Sequence, residues 1–248
     1  MALRVSRTIV PNFFTVGNMF CGFMAVIFAV FNKDVVLASW MIVLAAFLDS
    51  MDGKVARITN SSSKFGVEYD SLADVVSFGL APAVLIYAFY FSQWRHVGIF
   101  ISFFPLLFGS IRLARFNVQL SGFDKNHFSG LPSPAAAIVL AGYIIFVSEF
   151  FPDKYFPKLL LVLTFLVSVL MVSTIRYEIM PNFSFKGSST QKIMVSLMII
   201  SIVTLIIFPQ ELIFPYMMLY VFSGLIRFLY KLGSTSDEEE KTKVKSGK

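Results

Sequence analysis

Long apolar stretches dominate this 248-residue chain and constrain its fold more than any other feature. Each has about 20 residues, the length of an α-helix that crosses a hydrocarbon core about 30 Å thick, whereas membrane β-strands have only about 9–11 residues. Eight stretches follow one another, approximately at 12–31, 35–58, 67–91, 97–116, 134–151, 156–175, 193–208 and 212–230. The sequence therefore predicts an all-α, polytopic integral membrane protein with eight transmembrane helices.

Composition supports this interpretation and excludes other classes of protein. Hydrophobic residues make up 56% of the chain and charged residues 15%, against about 25% charged residues in ordinary soluble domains. Such a chain is neither intrinsically disordered nor a nucleic-acid-binding module. With Cys21 as its single cysteine, it has no disulfide framework or cysteine metal site, so any metal must be held by oxygen or histidine ligands.

Positive charge predicts the orientation of the helices. With the N-terminus in the cytoplasm, the segments on the opposite side of the membrane contain only four of the 21 lysines and arginines, namely Lys33, Arg95, Lys154 and Lys158. Lysine and arginine accumulate on the cytoplasmic side of cell membranes, so we expect both termini there. Residues 233–248 are polar and charged, and we expect a disordered tail after a membrane-embedded domain at 1–232.

Four aspartates interrupt the second and third apolar stretches: Asp49, Asp52, Asp70 and Asp74. A carboxylate near the centre of a membrane span costs roughly 2.5–3.5 kcal/mol, so four of them need a reason. Spacings of three and four residues place each pair on one helix face. At about 1.5 Å per residue, Asp49 lies about 21 Å below the outer end of its helix and Asp74 about 10 Å above the inner end of the next. In a core about 30 Å thick these depths nearly coincide, so we expect the carboxylates to face one another.

Carboxylates that face one another repel unless a cation lies between them. Hard divalent ions such as Mg²⁺, Mn²⁺ and Ca²⁺ take oxygen ligands, and two ions about 3.5–4 Å apart fit such a site. Gly53 and Ala56 leave space beside the same face, and Arg57 offers a fork for phosphate oxygens. The residues therefore indicate a site for metal and phosphate, although structural charge pairing and an ion- or proton-conducting pathway are alternatives.

The aspartates belong to a longer pattern, D-x2-D-G-x2-A-R-x8-G-x3-D-x3-D. It resembles the signature of the CDP-alcohol phosphatidyltransferases, with the fixed positions occupied by Asp49, Asp52, Gly53, Ala56, Arg57, Gly66, Asp70 and Asp74. Four further segments, VPNFFTVGNMFCGF, RLARFN, FSGLPSPAAA and MVSTIRYE, resemble one branch of that family, the membrane-integral phosphatidylserine synthases. That branch has eight membrane spans, the number expected above.

The resemblance implies a reaction and a set of site residues. The reaction would be transfer of the phosphatidyl group of CDP-diacylglycerol to L-serine with release of CMP, with two divalent ions, Mg²⁺ or Mn²⁺, as cofactors. The asymmetry of lysine and arginine puts the expected site on the cytoplasmic side of the cell membrane. Asp49, Asp52 and Asp70 would be metal ligands, and Asp74 would lie close to the metals and act as the general base. CDP-diacylglycerol would contact Asn12, Thr15, Asp49, Gly53, Ala56, Arg57, Ser63 and Gly66.

The acceptor and the assembly are less constrained. Arg112 and Arg115, three residues apart at the cytoplasmic end of the fourth stretch, are candidates for binding the serine carboxylate or a lipid phosphate, or else anchor the helix at the membrane surface. Alternatives to serine are glycerol 3-phosphate or an inositol phosphate, and outside this chemistry an ion or proton transporter. Members of the family are often homodimers, and the resemblance extends that expectation to this chain.

Overall fold

A computed structural model describes residues 9–59, 64–120, 130–152, 154–175, 177, 196 and 200–246. Regular structure within these ranges is helical, which confirms the predicted all-α class. The principal helices are α1 Ile9–Ile27, α2 Val35–Thr59, α3 Lys64–Asp74, α4 Ala81–Phe89, α5 Arg95–Leu120, α6 Ser133–Phe150, α7 Pro157–Val172 and α8 Pro209–Ser246. Wider π-helical turns continue α1 at Phe28–Asn32 and join α3 to α4 at Val75–Leu80, and a 3₁₀ turn at Phe91–Trp94 precedes α5.

Six of the helical segments are long and apolar enough to cross a membrane. They are Phe13–Asn32, Val35–Val55, Phe65–Phe89, Phe91–Val118, Ser133–Phe150 and Pro209–Tyr230. Helix α7 is apolar but shorter, at 16 residues. The predicted stretch at 193–208 lies partly outside the described residues, so the number of eight stays a prediction.

The part of that stretch at 200–207 nevertheless folds back on α8. Residues 200–207 are helical, and the Thr204 hydroxyl lies 3.0 Å from the Tyr216 hydroxyl. In one straight helix these residues, twelve apart, would be separated by about 18 Å. The chain therefore turns sharply near Pro209, and two antiparallel helical segments meet there.

Helix α6 forms the centre of the bundle. It packs against α2, α7 and α8, and its buried residues include Leu140, Tyr143 and Ile144. The Tyr143 hydroxyl donates a hydrogen bond to the carbonyl of Phe156 at the start of α7, as a buried phenol needs a partner. Around this centre, α1 packs along α2, and α5 packs against α4 and α7.

A tight connection sets the start of α6. Gly130 has a φ of 86°, a conformation that favours glycine, and a Cβ there would overlap the carbonyl oxygen of Met171. The amide of Gly130 donates to the carbonyl of Ile175, and that of Leu131 to the carbonyl of Leu170, both at 2.8 Å. The GLPSP segment therefore ties the start of α6 to the end of α7.

The last helix extends beyond the membrane span. Its backbone is helical to Ser246, through the segment for which the sequence predicts a disordered tail. Glutamate and lysine, which are frequent there, favour helix. The division into a membrane-embedded domain at 1–232 and a disordered tail at 233–248 stays a prediction.

Candidate active site

Three aspartates from two neighbouring helices meet inside the bundle. Asp49 of α2 and Asp70 and Asp74 of α3 each place one carboxylate oxygen within 4.8 Å of the other two. We call these three residues the aspartate cluster. Helix pitch brings Asp70 and Asp74 to one face of α3, and the antiparallel course of α2 brings Asp49 to the same depth. The predicted meeting of Asp49 with Asp74 is confirmed.

Asp52 lies beside the aspartate cluster but has a different partner. Its carboxylate is buried and accepts a hydrogen bond from the hydroxyl of Thr15 on α1. It is also close enough to Asp49 and Asp70 for mutual repulsion. All four predicted aspartates therefore share one region, and α1 contributes to its wall.

Asn18 is a site residue that the sequence reasoning missed. It is fully buried, and its side-chain amide donates to Oδ1 of Asp74 at 3.2 Å. Its backbone carbonyl accepts a hydrogen bond of 2.9 Å from the Ser77 hydroxyl in the π-helical turn after α3. A signal was present, because Thr15 and Asn18 are polar residues three apart on an otherwise apolar helix.

A close approach of two backbones holds Asn18 in place. A Cβ on Gly22 of α1 would lie 2.5 Å from the Ser77 hydroxyl oxygen and 2.7 Å from the Ser77 Cα. Only glycine lets α1 approach the π-helical turn this closely. The carboxylate of Asp74 is thereby fixed from α1 as well as from its own helix.

The aspartate cluster fits a divalent cation. Its donors are all carboxylate oxygens, the ligands that Mg²⁺, Mn²⁺ and Ca²⁺ prefer. Within the described part of the chain, the buried Oδ1 of Asp70 has no hydrogen-bond partner. A buried oxygen acceptor without a donor is destabilising, and a cation at this position would remove that cost.

The structure describes only some of the residues that are predicted to contact CDP-diacylglycerol. Gly53 is exposed on α2, and a Cβ added there would meet no heavy atom within 4 Å, so the expected space is present. Gly66 lies in the first turn of α3. The backbone of α1 and α2 includes Asn12, Ala56 and Arg57, but the side chains of these three and the whole of Ser63 lie outside the described residues.

The two candidate arginines for the acceptor point to different partners. Nη1 of Arg112 donates to the Ser133 hydroxyl at 3.1 Å, and its guanidinium is close enough to Asp74 for an electrostatic interaction. Arg115 is exposed and donates from Nη1 to the backbone carbonyl of Val172 at 2.8 Å. The structure thus places Arg112 within electrostatic range of Asp74 and Arg115 at the end of α7.

Two tyrosines, of which Tyr220 lies on α8, pack against each other within reach of Arg112. Tyr220 is near enough to Arg112 for an electrostatic interaction, and its ring lies 5.5 Å from that of Tyr177. Burial, together with Tyr220, raises the pKa of Tyr177 to about 12. The Tyr177 hydroxyl therefore stays protonated and donates to the carbonyl of Val221.

Comparison with known protein families agrees with this site. Residues 8–172 match the CDP-alcohol phosphatidyltransferase family, and the match includes the whole aspartate signature. The chain belongs to this family of CDP-alcohol phosphatidyltransferases.

Individual relatives of the chain have more specific names than the family. A CDP-diacylglycerol–serine O-phosphatidyltransferase of Helicobacter pylori strain 26695 is 38% identical over 221 residues, which are 89% of this chain and 91% of the relative. A protein of the same name from Methanocaldococcus jannaschii is 30% identical over 89% of this chain and 94% of its own. An archaetidylserine synthase of Methanothermobacter thermautotrophicus is 35% identical over 73% of this chain and 72% of its own.

Proposed function

We propose that the protein transfers the phosphatidyl group of CDP-diacylglycerol to L-serine, giving phosphatidylserine and CMP. Family membership supports the type of chemistry, and the relatives named as serine transferases support the acceptor. The observation that carries the proposal is the convergence of three carboxylates within 4.8 Å inside an apolar bundle. In such an environment clustered carboxylates need a function that uses their charge.

The aspartates would hold the metal cofactor of this reaction. We propose two divalent ions, Mg²⁺ or Mn²⁺, held by Asp49, Asp70 and Asp74 together with the adjacent Asp52. When bound, they neutralise the pyrophosphate charge that grows as CMP leaves. The hydroxyl of Thr15 orients the Asp52 carboxylate for this purpose.

Asp74 is the proposed general base. The serine hydroxyl is a poor nucleophile at neutral pH, so a carboxylate must accept its proton as the oxygen attacks phosphorus. In the same displacement the bond from phosphorus to the CMP oxygen breaks, and CMP leaves with the electron pair. Asn18 keeps the acceptor oxygens of Asp74 in a fixed orientation through the hydrogen bond to Oδ1.

The remaining predicted contacts would bind the nucleotide. We propose that the open space at Gly53 receives part of CDP-diacylglycerol. The other residues proposed to contact this substrate are Asn12, Thr15, Asp49, Ala56, Arg57, Ser63 and Gly66. The acyl chains stay in the bilayer while cytidine and serine arrive from water. We propose that the scissile phosphate then lies just below the membrane surface, on the cytoplasmic side.

An assay of the purified protein tests the proposal. The protein in lipid nanodiscs is incubated with CDP-diacylglycerol, Mn²⁺ or Mg²⁺, and L-serine, glycerol 3-phosphate or an inositol phosphate in turn. We expect CMP release and a phosphatidylserine product, identified by mass spectrometry, with L-serine only. Chelation by EDTA should stop the release, and added Mn²⁺ should restore it. A product with another alcohol only would replace the acceptor, and no CMP with any alcohol would reject the reaction.

A further inference from the structure

We propose that a cavity at the end of the bundle opposite the aspartate cluster binds the phosphate headgroup of an anionic phospholipid. This cavity has a volume of about 200 Å³ and is lined by Lys33, Val35 and Lys154 among others; we call it the lysine cavity. At about 1.5 Å per residue, Asp49 lies about 21 Å along α2 from Val35. The lysine cavity is therefore separate from the candidate active site, and the proposal does not depend on the reaction proposed there.

The lysine cavity lies where four membrane spans reach one end of the bundle. Its walls come from the connection between α1 and α2, the end of α4, and the end of α6 with the connection to α7. Apolar spans end at Asn32, Phe89 and Phe150. Another span begins at Val35. Because the ends of apolar spans mark the boundary of the hydrocarbon core, the lysine cavity opens at the depth of the phospholipid headgroups.

Aromatic side chains around the lysine cavity support this depth. The rings of Phe89 and Tyr155, which both line it, lie 5.3 Å apart. Tyr90 extends the group, with its ring 5.7 Å from that of Tyr155 and 5.8 Å from that of Trp94. Tyrosine and tryptophan are enriched at the level of the headgroups. The phenol of Tyr155 is half exposed and can donate a hydrogen bond to a phosphate oxygen.

Two lysines give the lysine cavity the charge that an anion needs. Lys33 and Lys154 are both exposed, and neither forms an ion pair with another residue that the structure describes. The carboxylate of Asp34, next to Lys33, accepts a hydrogen bond of 2.8 Å from the amide of Leu37 and so caps the start of α2. Basic pockets between membrane helices bind phospholipid headgroups, and the Ser148 hydroxyl adds a further donor to the wall.

The backbone of Lys33 indicates that its side chain has a function. Lys33 has φ 55° and ψ 26°, a left-handed conformation that favours glycine. The amides of Lys33 and Asp34 both donate to the carbonyl of Phe28, which ends the π-helical turn. Glycine suits this turn better than lysine does. A lysine in this conformation is therefore explained by what its charge binds.

The size of the lysine cavity selects a headgroup. A volume of about 200 Å³ holds about six or seven water molecules at about 30 Å³ each, and pockets for drug-sized ligands have about 300–1,000 Å³. A phosphate with its glycerol fits this space, while the acyl chains stay in the bilayer beside exposed apolar residues such as Phe31 and Phe150. The lipid belongs to the leaflet opposite the aspartates.

Native mass spectrometry of the full chain in neutral detergent micelles tests the proposal. Phosphatidylglycerol or phosphatidylcholine is titrated into the wild type and its variants. We expect the wild type to retain phosphatidylglycerol in preference to phosphatidylcholine. Lys33→Gln and Lys154→Gln should each weaken the apparent affinity for phosphatidylglycerol about fivefold, and the double variant about 25-fold, because each lysine contributes a similar attraction to an anionic headgroup.

Three further variants separate the lysine cavity from other effects. Lys158→Gln removes an exposed charge of α7 that does not line the cavity and should leave the affinity unchanged. Ser148→Phe fills the cavity without changing its charge and should abolish retention of the lipid. Lys33→Gly suits the left-handed backbone, so it should keep the thermal unfolding midpoint and still weaken binding about fivefold. It decides the role of Lys33 if Lys33→Gln misfolds, and the lysine variants decide if Ser148→Phe does.

Four results would overturn the proposal. They are a folded double variant with the wild-type affinity, an equal loss in Lys158→Gln, which would mean diffuse attraction, unchanged binding in a folded Ser148→Phe protein, and equal retention of phosphatidylcholine. Glycerol 3-phosphate, added alone in a competition arm, distinguishes a lipid from a free phosphate. We expect it to displace phosphatidylglycerol only at a concentration at least about 100-fold higher. Displacement at equal concentration would reject a lipid as the ligand.

Discussion

Two of the four carboxylates at the site accept a hydrogen bond from a neighbouring helix. Thr15 donates to Asp52 and Asn18 to Asp74, so two polar side chains of α1 reach across to α2 and α3. In an apolar bundle a hydrogen bond to a charged group is worth about 1.5–3 kcal/mol, which is enough to fix one side-chain orientation. Residues outside the aspartate signature thus decide where the carboxylate oxygens lie.

The role of Asp74 leads to the first prediction. Asp74→Asn keeps the size of the side chain but removes the ability to accept a proton. We expect CMP release to fall by about 10³-fold, within the range that general bases contribute. Binding of CDP-diacylglycerol, measured by titrating the variant with this lipid nucleotide, should remain detectable. An active Asp74→Asn protein would remove this residue as the base.

A second prediction tests whether Thr15 supports the metal site through Asp52. Thr15→Val preserves the shape of the side chain but leaves the buried Asp52 without its donor. Because partners of metal ligands typically change metal affinity about 10–100-fold, the Mn²⁺ concentration for half-maximal CMP release should rise at least about 10-fold. The matched control is Thr164→Val, since Thr164 is buried and donates only within α7, to the Leu160 carbonyl. An equal shift in both variants would contradict the link between Thr15 and the metal site.

Much of the site could be predicted from the sequence because its signature residues lie on only two helices. Fixed helix pitch converts the spacing of Asp49, Asp70 and Asp74 into one depth and one face. Ser133 and Tyr220 could not be assigned in the same way, because they reach Arg112 from helices far along the chain. Nothing in the spacing of these residues determines how α6 and α8 pack.

At the scale of elements, the third span is not a uniform helix. The sequence predicts one continuous stretch at 67–91, whereas the structure has a π-helical turn at Val75–Leu80, directly after Asp74. Pro82, in the first turn of α4, has no amide hydrogen and would clash with a regular helical turn before it. A wider turn accommodates this proline, and such turns often occur next to functional sites. Pro82 was the available signal for this break.

The contact of α1 with that turn is the basis of the third prediction. Gly22→Ala places a methyl group 2.5 Å from the Ser77 hydroxyl oxygen and 2.7 Å from the Ser77 Cα, so α1 must move away. Overpacking of this kind costs about 1–3 kcal/mol, and the thermal unfolding midpoint should fall by several degrees. CMP release should fall as well, because Thr15 and Asn18 move with α1.

A second buried glycine serves as the control for that variant. A Cβ on Gly109 of α5 would meet its nearest neighbour, the Met171 sulfur, at 3.9 Å, an ordinary contact distance. We expect Gly109→Ala to leave both the midpoint and the activity close to the wild type. If Gly22→Ala behaved like Gly109→Ala, the close approach of α1 would not be what positions the site.

At the scale of the whole molecule, basic residues that the sequence assigns to opposite sides of the membrane lie towards opposite ends of the bundle. A cavity of about 200 Å³ at the end opposite the aspartates is lined by Lys33 and Lys154, two of the four basic residues expected outside the cell. The signature arginine Arg57 follows the aspartates on α2, towards the other end. These positions agree with the predicted division of the connecting segments between the two sides of the membrane. The expected homodimer stays a prediction.

The direction in which this bundle crosses the membrane leads to the last prediction. In a Cys21→Ser background, Lys154→Cys and Lys248→Cys place single thiols at the two predicted sides, and intact cells are treated with a membrane-impermeant maleimide. If both termini are cytoplasmic, as the positive charges indicate, the reagent should label position 154 and leave position 248 unlabelled until the membrane is opened. Labelling of position 248 alone would invert the orientation and move the aspartate cluster to the outer surface. Equal labelling of both positions before the membrane is opened would mean that they lie on the same side, and the predicted number of spans between them would be wrong.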